Sequence, residues 1–385
     1  MFDSSVAYVF GGSEIRAHLF ARGLSRLPGY QVSFIVLDHG QPKTQRFGQV
    51  SVFRHSFYKG YPTAAGLAGL WERGLRVLRG HLGKRLYIGE YAIDSHKTRI
   101  YREVDADAFC VFGVADFTAE VAAYCRHAGK PLALFSAHDH DFSESYYEGS
   151  RKINPWGSMG TLCHYAVRQA DLLITQTHDQ AALALSRFGK ESTTIYNPID
   201  LAGRVPPAPG ERVALWIGKA NDVKQPHLLL RLAAQFPTIP FLMVMNRSHP
   251  DLFEKVLCQR TPNVSIIERV SFSEVEALFA RAFVLVSTSL SEGFPNTFLQ
   301  AGKYGVPVLS LNVDPDHFIQ RHDCGIVAKG DVQRLADGLS LIASDRQKAR
   351  DFSQNIRRYV AAYHSLEDKV RELDATLQRF LDARV

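Results

Sequence analysis

Two lysines, Lys219 and Lys224, stand in the stretch WIGKANDVKQP just past an apolar run that ends in Gly218. Cations so placed neutralise a diphosphate and stabilise charge that builds on a departing phosphate oxygen. A second stretch, SEGFPNTFLQ from Ser291 to Gln300, sets one carboxylate, Glu292, directly before Gly293, Phe294, Pro295, Asn296 and Thr297. Gly293 permits close approach of another backbone, and Pro295 suits the first turn of a helix, where its missing N–H would be unpaired anyway. The amides of Asn296 and Thr297 would then be donors at the positive end of a helix, which is an anion site. Gln300 follows one turn after Asn296, on the same face. Two more stretches in the first half carry polar groups at element ends. FGGSEIRAHLFARGL puts Gly11 and Gly12 before a helical pattern, and FSAHDHD puts His138 and Asp139 just past the run PLALFSA. Each has a plain reading as well: a capped turn, solvated loop lysines, a flexible Gly-Gly, a structural histidine.

The elements that must position these residues alternate between short apolar strands and helical patterns, the mark of parallel α/β domains. QVSFIVLD, ADAFCVFGV, PLALFSAHD and ADLLITQT read as strands in the first half, with SEIRAHLFARGLSRL and TAEVAAYCRHAG as helices between them. IYNPIDLAGRVPPAPGERV then crowds four prolines into a linker. A second alternation follows in VALWIGK, HLLLRLAAQF, PFLMVMN, VSIIERV, SEVEALFARA, FVLVSTS, NTFLQAGKYG and VPVLSL. The tail from Ser344 onward is long, charged and helical. The expected layout is a domain over 1–204, a second over 205–365, and a helix over 366–385 packing back towards the first. In doubly wound sheets ligands bind outside the carboxyl ends of the strands. The lysine loop, the Glu292 loop and His138 all fall at such ends.

Composition narrows the classes. A chain of 385 residues with 46% hydrophobic and 22% charged residues is long enough for two globular cores. No apolar run reaches the roughly 20 residues that span a bilayer, and no basic segment followed by a long apolar core marks a signal peptide at the start. Five widely spaced cysteines form no CxxC pair, so neither a disulfide framework nor a zinc site is indicated and a cytoplasmic setting is expected. The net charge of +6 is not gathered in a dense block, which argues against nucleic acid as the partner.

Taken together, these stretches resemble the retaining, nucleotide-sugar-dependent glycosyltransferases of the GT-B fold, the group often called family 4. GGSE resembles that family's N-terminal glycine loop, HD at 138–139 its His-Asp strand end, and NPID at 197–200 its interdomain Asn-x-x-Asp. GKANDVK resembles its G-R-x4-K phosphate loop. SEGFPNTFLQAGKYGVPVL resembles its E-G-F-x-N-x-x-x-E-A-x-x-x-G-x-P-V signature. The departures are Lys219 in place of an arginine, which keeps the charge without the bidentate fork, and Gln300 in place of a second glutamate. Glycines of the family pattern are replaced around Met245–Asn246 and at Glu268. Only ten residues precede Gly11, so the expectation is either a start downstream of the true one or a sheet edge built differently.

The resemblance implies two Rossmann-like domains facing a cleft and transfer of a sugar from a nucleoside diphosphate to an acceptor hydroxyl, without a metal or other cofactor. The diphosphate would lie against the Asn296 and Thr297 amides, Lys219, Lys224 and the Gly12 loop. By resemblance, Glu292 would hold the sugar hydroxyls, His138 would bond a sugar hydroxyl or the reacting centre, Val270 would line the base pocket and Gln300 would stand at the ribose. Gly218, Gly293, Phe294 and Pro295 complete the donor site. A saccharide or lipid-linked acceptor is expected, in polysaccharide or glycolipid synthesis. The stretch 66–86, with five basic residues against Glu72 and a stripe of leucines, could rest on an anionic membrane on its cytoplasmic face. Three readings stay open: a metal-dependent transferase using Asp139-His140-Asp141, a sugar-nucleotide epimerase, and a non-catalytic partner that kept the fold.

Overall fold

The computed structural model describes residues 11–37, 42–55, 86–88, 91–93, 95–203, 212–268, 270 and 272–383. The membrane-contact expectation for 66–86 falls almost wholly outside these residues, as do residues 1–10 and most of the prolines of the linker. Among the described residues no helix is long and apolar enough to cross a membrane.

In the first half, β1 (Val32–Leu37) pairs in parallel with β3 (Val50–His55), and β2 (Thr44–Phe47) runs antiparallel to β3. The short strands β4 (Leu86–Ile88) and β5 (Tyr91–Ile93) pair with each other. A four-stranded parallel sheet follows in the order β6 (Phe109–Phe112), β7 (Leu132–Phe135), β8 (Leu172–Thr175) and β9 (Thr193–Thr194). All four residues of β7 are buried, as expected of a parallel strand covered on both faces.

The second half is one six-stranded parallel sheet. Its strands are β10 (Val213–Lys219), β11 (Phe241–Asn246), β12 (Val264–Ile267), β13 (Ala282–Ser287), β14 (Val308–Ser310) and β15 (Gly325–Val327). They lie in the order β12-β11-β10-β13-β14-β15. Counted within this sheet, that is the 3-2-1-4-5-6 order of a doubly wound fold, and its direction of growth reverses between β10 and β13. Ala214, Leu215, Trp216, Met243, Val284 and Leu285 are all buried, so these strands read as continuous apolar runs rather than alternating ones.

The helical tail is two helices. Arg346–Tyr363 packs Ile356, Tyr359 and Val360 against Phe298, Leu299 and Phe318 of the second domain. Leu366–Asp382 turns Leu366, Val370, Leu373 and Leu377 onto Leu19, Phe20 and Leu24 of the first. Burying such side chains stabilises by roughly 1.5–3 kcal/mol each, so the second helix is firmly held to the domain opposite its predecessor. A Cβ on Gly23 would overlap Val370, which is why a glycine lies on that face of the helix Gly12–Leu24. The break falls where His364 and Leu366 exchange backbone bonds with Ile199, at 2.8 and 3.1 Å, so the chain crosses at NPID in both directions. Periodicity did not separate β2, β15 and the helices Pro250–Gln259 and Val332–Ser344.

Candidate functional site

The carboxyl ends of β10 and β13 are adjacent strand ends at the reversal, and their loops are stitched together. The Trp216 indole donates to the Thr288 hydroxyl at 2.9 Å, which in turn donates to the Lys224 carbonyl at 2.6 Å. The Leu290 amide donates to the Val223 carbonyl at 2.8 Å. Gly218 is required here because a Cβ would come within 2.7 Å of the Trp216 ring. The Asn221 side chain accepts from the Lys224 amide at 2.9 Å, and Gln225 takes a left-handed conformation (φ 47°) to start the helix Pro226–Gln235. This aims the Lys224 ammonium at Glu292, with which it forms an ion pair whose side chains are 23% and 17% exposed. Lys219, at the end of β10, is exposed and makes no ion pair among the described residues.

Pro295 is the cap of the helix Asn296–Tyr304 rather than a residue of its first turn: its φ is −63° but its ψ is 120°, an extended value. Its carbonyl takes the Phe298 amide at 3.0 Å, and no side chain caps the helix. The first amides, those of Asn296 and Thr297, are thus left at the positive end of the helix. The Asn296 side chain is used elsewhere, donating to the Gly12 carbonyl at 3.0 Å and so bringing the glycine loop across the cleft.

The first domain grips the same loop by its backbone. Gln176 accepts from the Phe294 amide at 2.8 Å, and Asn197 donates to the Phe294 carbonyl at 3.1 Å. Beside them lies Gly293, where a Cβ would come within 2.5 Å of the Ala137 carbonyl and 3.0 Å of the Gln176 and Gln180 side-chain amides. Gln176 and Gln180 are hydrogen-bonded supports: the Gln176 side chain donates to the Ser136 carbonyl, and that of Gln180 accepts from the Gln176 backbone amide and donates to Asp139. Beneath them the buried Arg16 guanidinium donates to the carbonyls of Ser136, Thr175 and Ile195 at 2.8, 3.4 and 2.8 Å. It ties together the carboxyl ends of β7, β8 and β9, and burial lowers it to about 9.

His138 faces the Glu292 loop. Burial is the main cause holding its imidazole below the ordinary histidine range, opposed by the Glu292 carboxylate. Its Nδ1 accepts from the His140 amide at 3.1 Å, so the neutral ring carries its proton on Nε2. That side faces the Ser291 carbonyl. His138 therefore donates across the seam to the backbone of the Glu292 loop. Asp139 and Asp141 turn the other way. Asp139 takes the Gln180 amide at 3.0 Å, and Asp141 takes the backbone amides of Ala137 and His138 at 2.6 and 3.2 Å. Burial pushes the two carboxyls up to about 6 and about 7. As placed, they hold the turn after β7 and do not converge on a common point in the cleft.

Two expected donor residues sit at the margin. Val270 packs partly buried against the second domain's core, and Gln300 is 9% exposed, its amide without a partner among the described residues. Four groups at the seam escaped the sequence reading: Gln176, Arg16, Asp316 and His364. Asp316 accepts the amides of His178 and Asp179 and the Tyr196 hydroxyl, all at 3.0 Å, capping a helix of the first domain from the second. His364, wholly buried, bonds the Asn197 carbonyl at 2.7 Å, and burial drops it to about 3. Only their placement opposite NPID and the strand ends marks them, and that requires the fold.

Two parallel α/β domains whose strand ends face each other, with a tail helix returning to the first, define the GT-B fold. Sucrose-phosphate synthase from Thermosynechococcus elongatus is similar across 97% of this chain and 94% of its own (TM-score 0.74, 16% identity). HepE from Anabaena, in a structure with UDP and glucose, is similar over 74% of this chain and 82% of its own (TM-score 0.63, 16% identity). These likenesses establish the fold. Residues 202–359 match the family glycosyl transferases group 1, and the second domain is a domain of that family on a GT-B chain. D-inositol 3-phosphate glycosyltransferase of Nocardia farcinica is 24% identical over 250 residues, 57% of this chain. The match spans 55% of that relative's length.

Proposed function

We propose that this protein transfers a sugar, with retention of configuration, from a nucleoside diphosphate to an acceptor hydroxyl, and that it needs no metal to do so. The observation that carries this reading is the meeting of Lys224, Glu292 and an uncapped helix start at the reversal point of the second domain's sheet. The bond from the sugar's anomeric carbon to the diphosphate oxygen breaks, and the acceptor oxygen bonds to the same carbon. The acceptor's proton leaves with the diphosphate. Lys219, Lys224 and the Asn296 and Thr297 amides stabilise the charge on the departing phosphate oxygens. Lys224 is held by Glu292, so an entering diphosphate takes over the ammonium and releases the carboxylate to the sugar's hydroxyls. His138, neutral and protonated on Nε2, turns its proton from the Ser291 carbonyl to a sugar oxygen when the donor enters. Acceptors in polysaccharide or glycolipid synthesis on the cytoplasmic side fit this chemistry, as does the UDP held by HepE.

The test is a thermal-shift screen with UDP-, GDP-, ADP- and CMP-sugars in EDTA. At about 100 times its dissociation constant the correct donor adds about 2.7 kcal/mol of stability. Lys224→Ala should abolish that shift and lower kcat/KM by roughly 10² or more. Normal turnover by a folded Lys224→Ala protein, or activity lost in EDTA, would sink the respective half of the proposal.

A further inference from the structure

Beyond the turn that follows β7 the chain makes a small hairpin whose tip carries Trp156, and that ring is 56% exposed. The hairpin is closely tied. Ile153 and Met159 form a bridge, the Asn154 amide donates to the Ser158 carbonyl at 2.9 Å, and the Gly160 amide donates to the Lys152 carbonyl at 2.8 Å. The Asn154 side chain accepts from the Trp156 and Ser158 amides at 3.0 and 2.9 Å while donating to the Tyr146 hydroxyl at 2.8 Å. Gly157 supplies the left-handed turn (φ 88°) that follows the tryptophan. The base of the hairpin is tied to the helix Asp116–Ala128 through Asp116, which accepts from the Met159 amide at 2.9 Å.

This architecture delivers the indole to the cleft. Its centroid lies 5.3 Å from the His138 ring and 5.6 Å from the His140 ring, both in edge contacts. His138 in turn faces Ser291, the neighbour of Glu292. A large aromatic ring kept open to water at the rim of a polar site, and fixed by the hydrogen bonds around its loop, adds nothing to the core. Such a ring, beside a few convergent polar groups, is the make-up of a small-ligand site. Two imidazoles stand at its edge, which suits a ligand with one C–H face for the ring and hydroxyls at its rim for the nitrogens.

We propose that Trp156 is the stacking platform of the acceptor subsite and that the acceptor presents a pyranose ring to it, with a hydroxyl at its edge reaching His138. This rests on the glycosyltransferase reading given above. The platform acts by orienting the acceptor, so its loss raises the acceptor KM and leaves donor binding alone.

Saturation-transfer NMR on the full chain tests it, using the methyl glycosides of glucose, galactose, mannose and N-acetylglucosamine, each with and without UDP, GDP or ADP. At least one glycoside should bind saturably, with transfer strongest to the protons of one ring face. Trp156→Ala should weaken that binding at least ten-fold, and Trp156→Phe, which keeps a ring, should stay within about three-fold of the unaltered protein. The thermal shift given by the nucleoside diphosphate should be the same in all three, which also reports that the variants are folded. The platform is overturned if none of the four glycosides binds, if Trp156→Ala binds as well as the unaltered protein, or if Trp156→Phe fails as badly as Trp156→Ala. Absence of a shift with all three diphosphates, together with Trp156-dependent glycoside binding, would instead break the donor reading and leave the sugar site standing.

Discussion

The two sides of the seam are built by opposite means. The second domain presents the groups that the proposed function gives to the donor: the exposed Lys219, the helix amides of Asn296 and Thr297, and the ion pair of Lys224 with Glu292. His138 apart, the first domain commits its polar groups at the seam to itself and to its partner's backbone. Arg16 is taken up by three strand-end carbonyls, Asp141 by two amides, and Gln176 by Ser136 and Phe294. On the proposed function this is a division of labour: charge chemistry falls to the second domain, whereas the first fixes where that chemistry happens. Changes in the second should therefore alter rate or donor affinity, and changes to the first domain's supports, Gln176, Arg16 and the residues facing Gly293, should alter the seam.

The strongest test is Glu292→Gln. It keeps the size of the side chain but removes the charge that pairs with Lys224 and would hold the sugar. Transfer should fall by roughly 10³, at the upper end for losing one electrostatic contact. Nucleoside diphosphate affinity should hold or rise slightly, because Lys224 loses its competitor. Calorimetry beside a turnover assay separates the two, and a parallel fall in both would erase the contrast between the domains. Gly293→Ala attacks the seam itself. Its Cβ has nowhere to go against the Ala137 carbonyl at 2.5 Å. The loop must withdraw from the first domain, and a displacement of about 1 Å costs on the order of 10² in rate. Nucleotide binding, which on the proposed reading rests mainly on the second domain, should change by less than about three-fold.

This contrast also explains what the residues disclosed on their own. The second domain's site was legible because its groups are contiguous: Gly218 to Lys224 in one loop, Glu292 to Thr297 in the next, each directly after an apolar run. The strands themselves were legible for the same reason, and VALWIGK matches β10 residue for residue. The first domain's contribution was not, because Gln176 and Arg16 are ordinary members of a strand end and a helix until the fold sets them 2.8 Å from a partner over a hundred positions away. The partners that fix the tail's break were hidden in the same manner. Ser365 is a local cue, since its hydroxyl accepts from the Asp368 amide, but its neighbours on either side give their backbone groups to Ile199 of the distant NPID segment.

A smaller effect should appear in the pH dependence of stability. Burial raises the Asp139 carboxyl to about 6, above its value in the unfolded chain, about 3.9. A raised carboxyl means the folded state holds the proton more tightly. Its ionisation therefore weakens the fold as pH rises from about 4 to about 6, by at most about 3 kcal/mol, and the deficit persists at higher pH. Asp139→Asn keeps an acceptor for Gln180 and removes the titration. Its denaturation midpoint relative to the unaltered protein should climb between about pH 4 and 7, and a flat difference across that range would show that Asp139 is not held in a costly ionised form.

The smallest effect concerns Gln300. It lies one turn beyond Asn296 on the helix that begins the proposed diphosphate site, buried, with its amide unpartnered among the described residues. A carboxylate there would accept two ribose hydroxyls with full charge, whereas the amide offers one carbonyl acceptor and an N–H₂ donor. Bonds to charged groups contribute about 1.5–3 kcal/mol and neutral ones about 0.5–1.5, so Gln300→Glu should bind nucleotide about five-fold tighter. Without nucleotide the variant should be less stable than the unaltered protein. Lys303, one turn further on, is already paired with Glu276 at 2.6 Å, so the introduced carboxylate would be buried without a cation. Desolvation then raises its pKa, and the gain in affinity should shrink as pH falls through that value. Tighter binding at about pH 8 that fades towards about pH 5, with a lowered melting point in the absence of ligand, is the expected pattern. Weaker nucleotide binding at the higher pH would remove Gln300 from the ribose and leave the donor site to the residues before it.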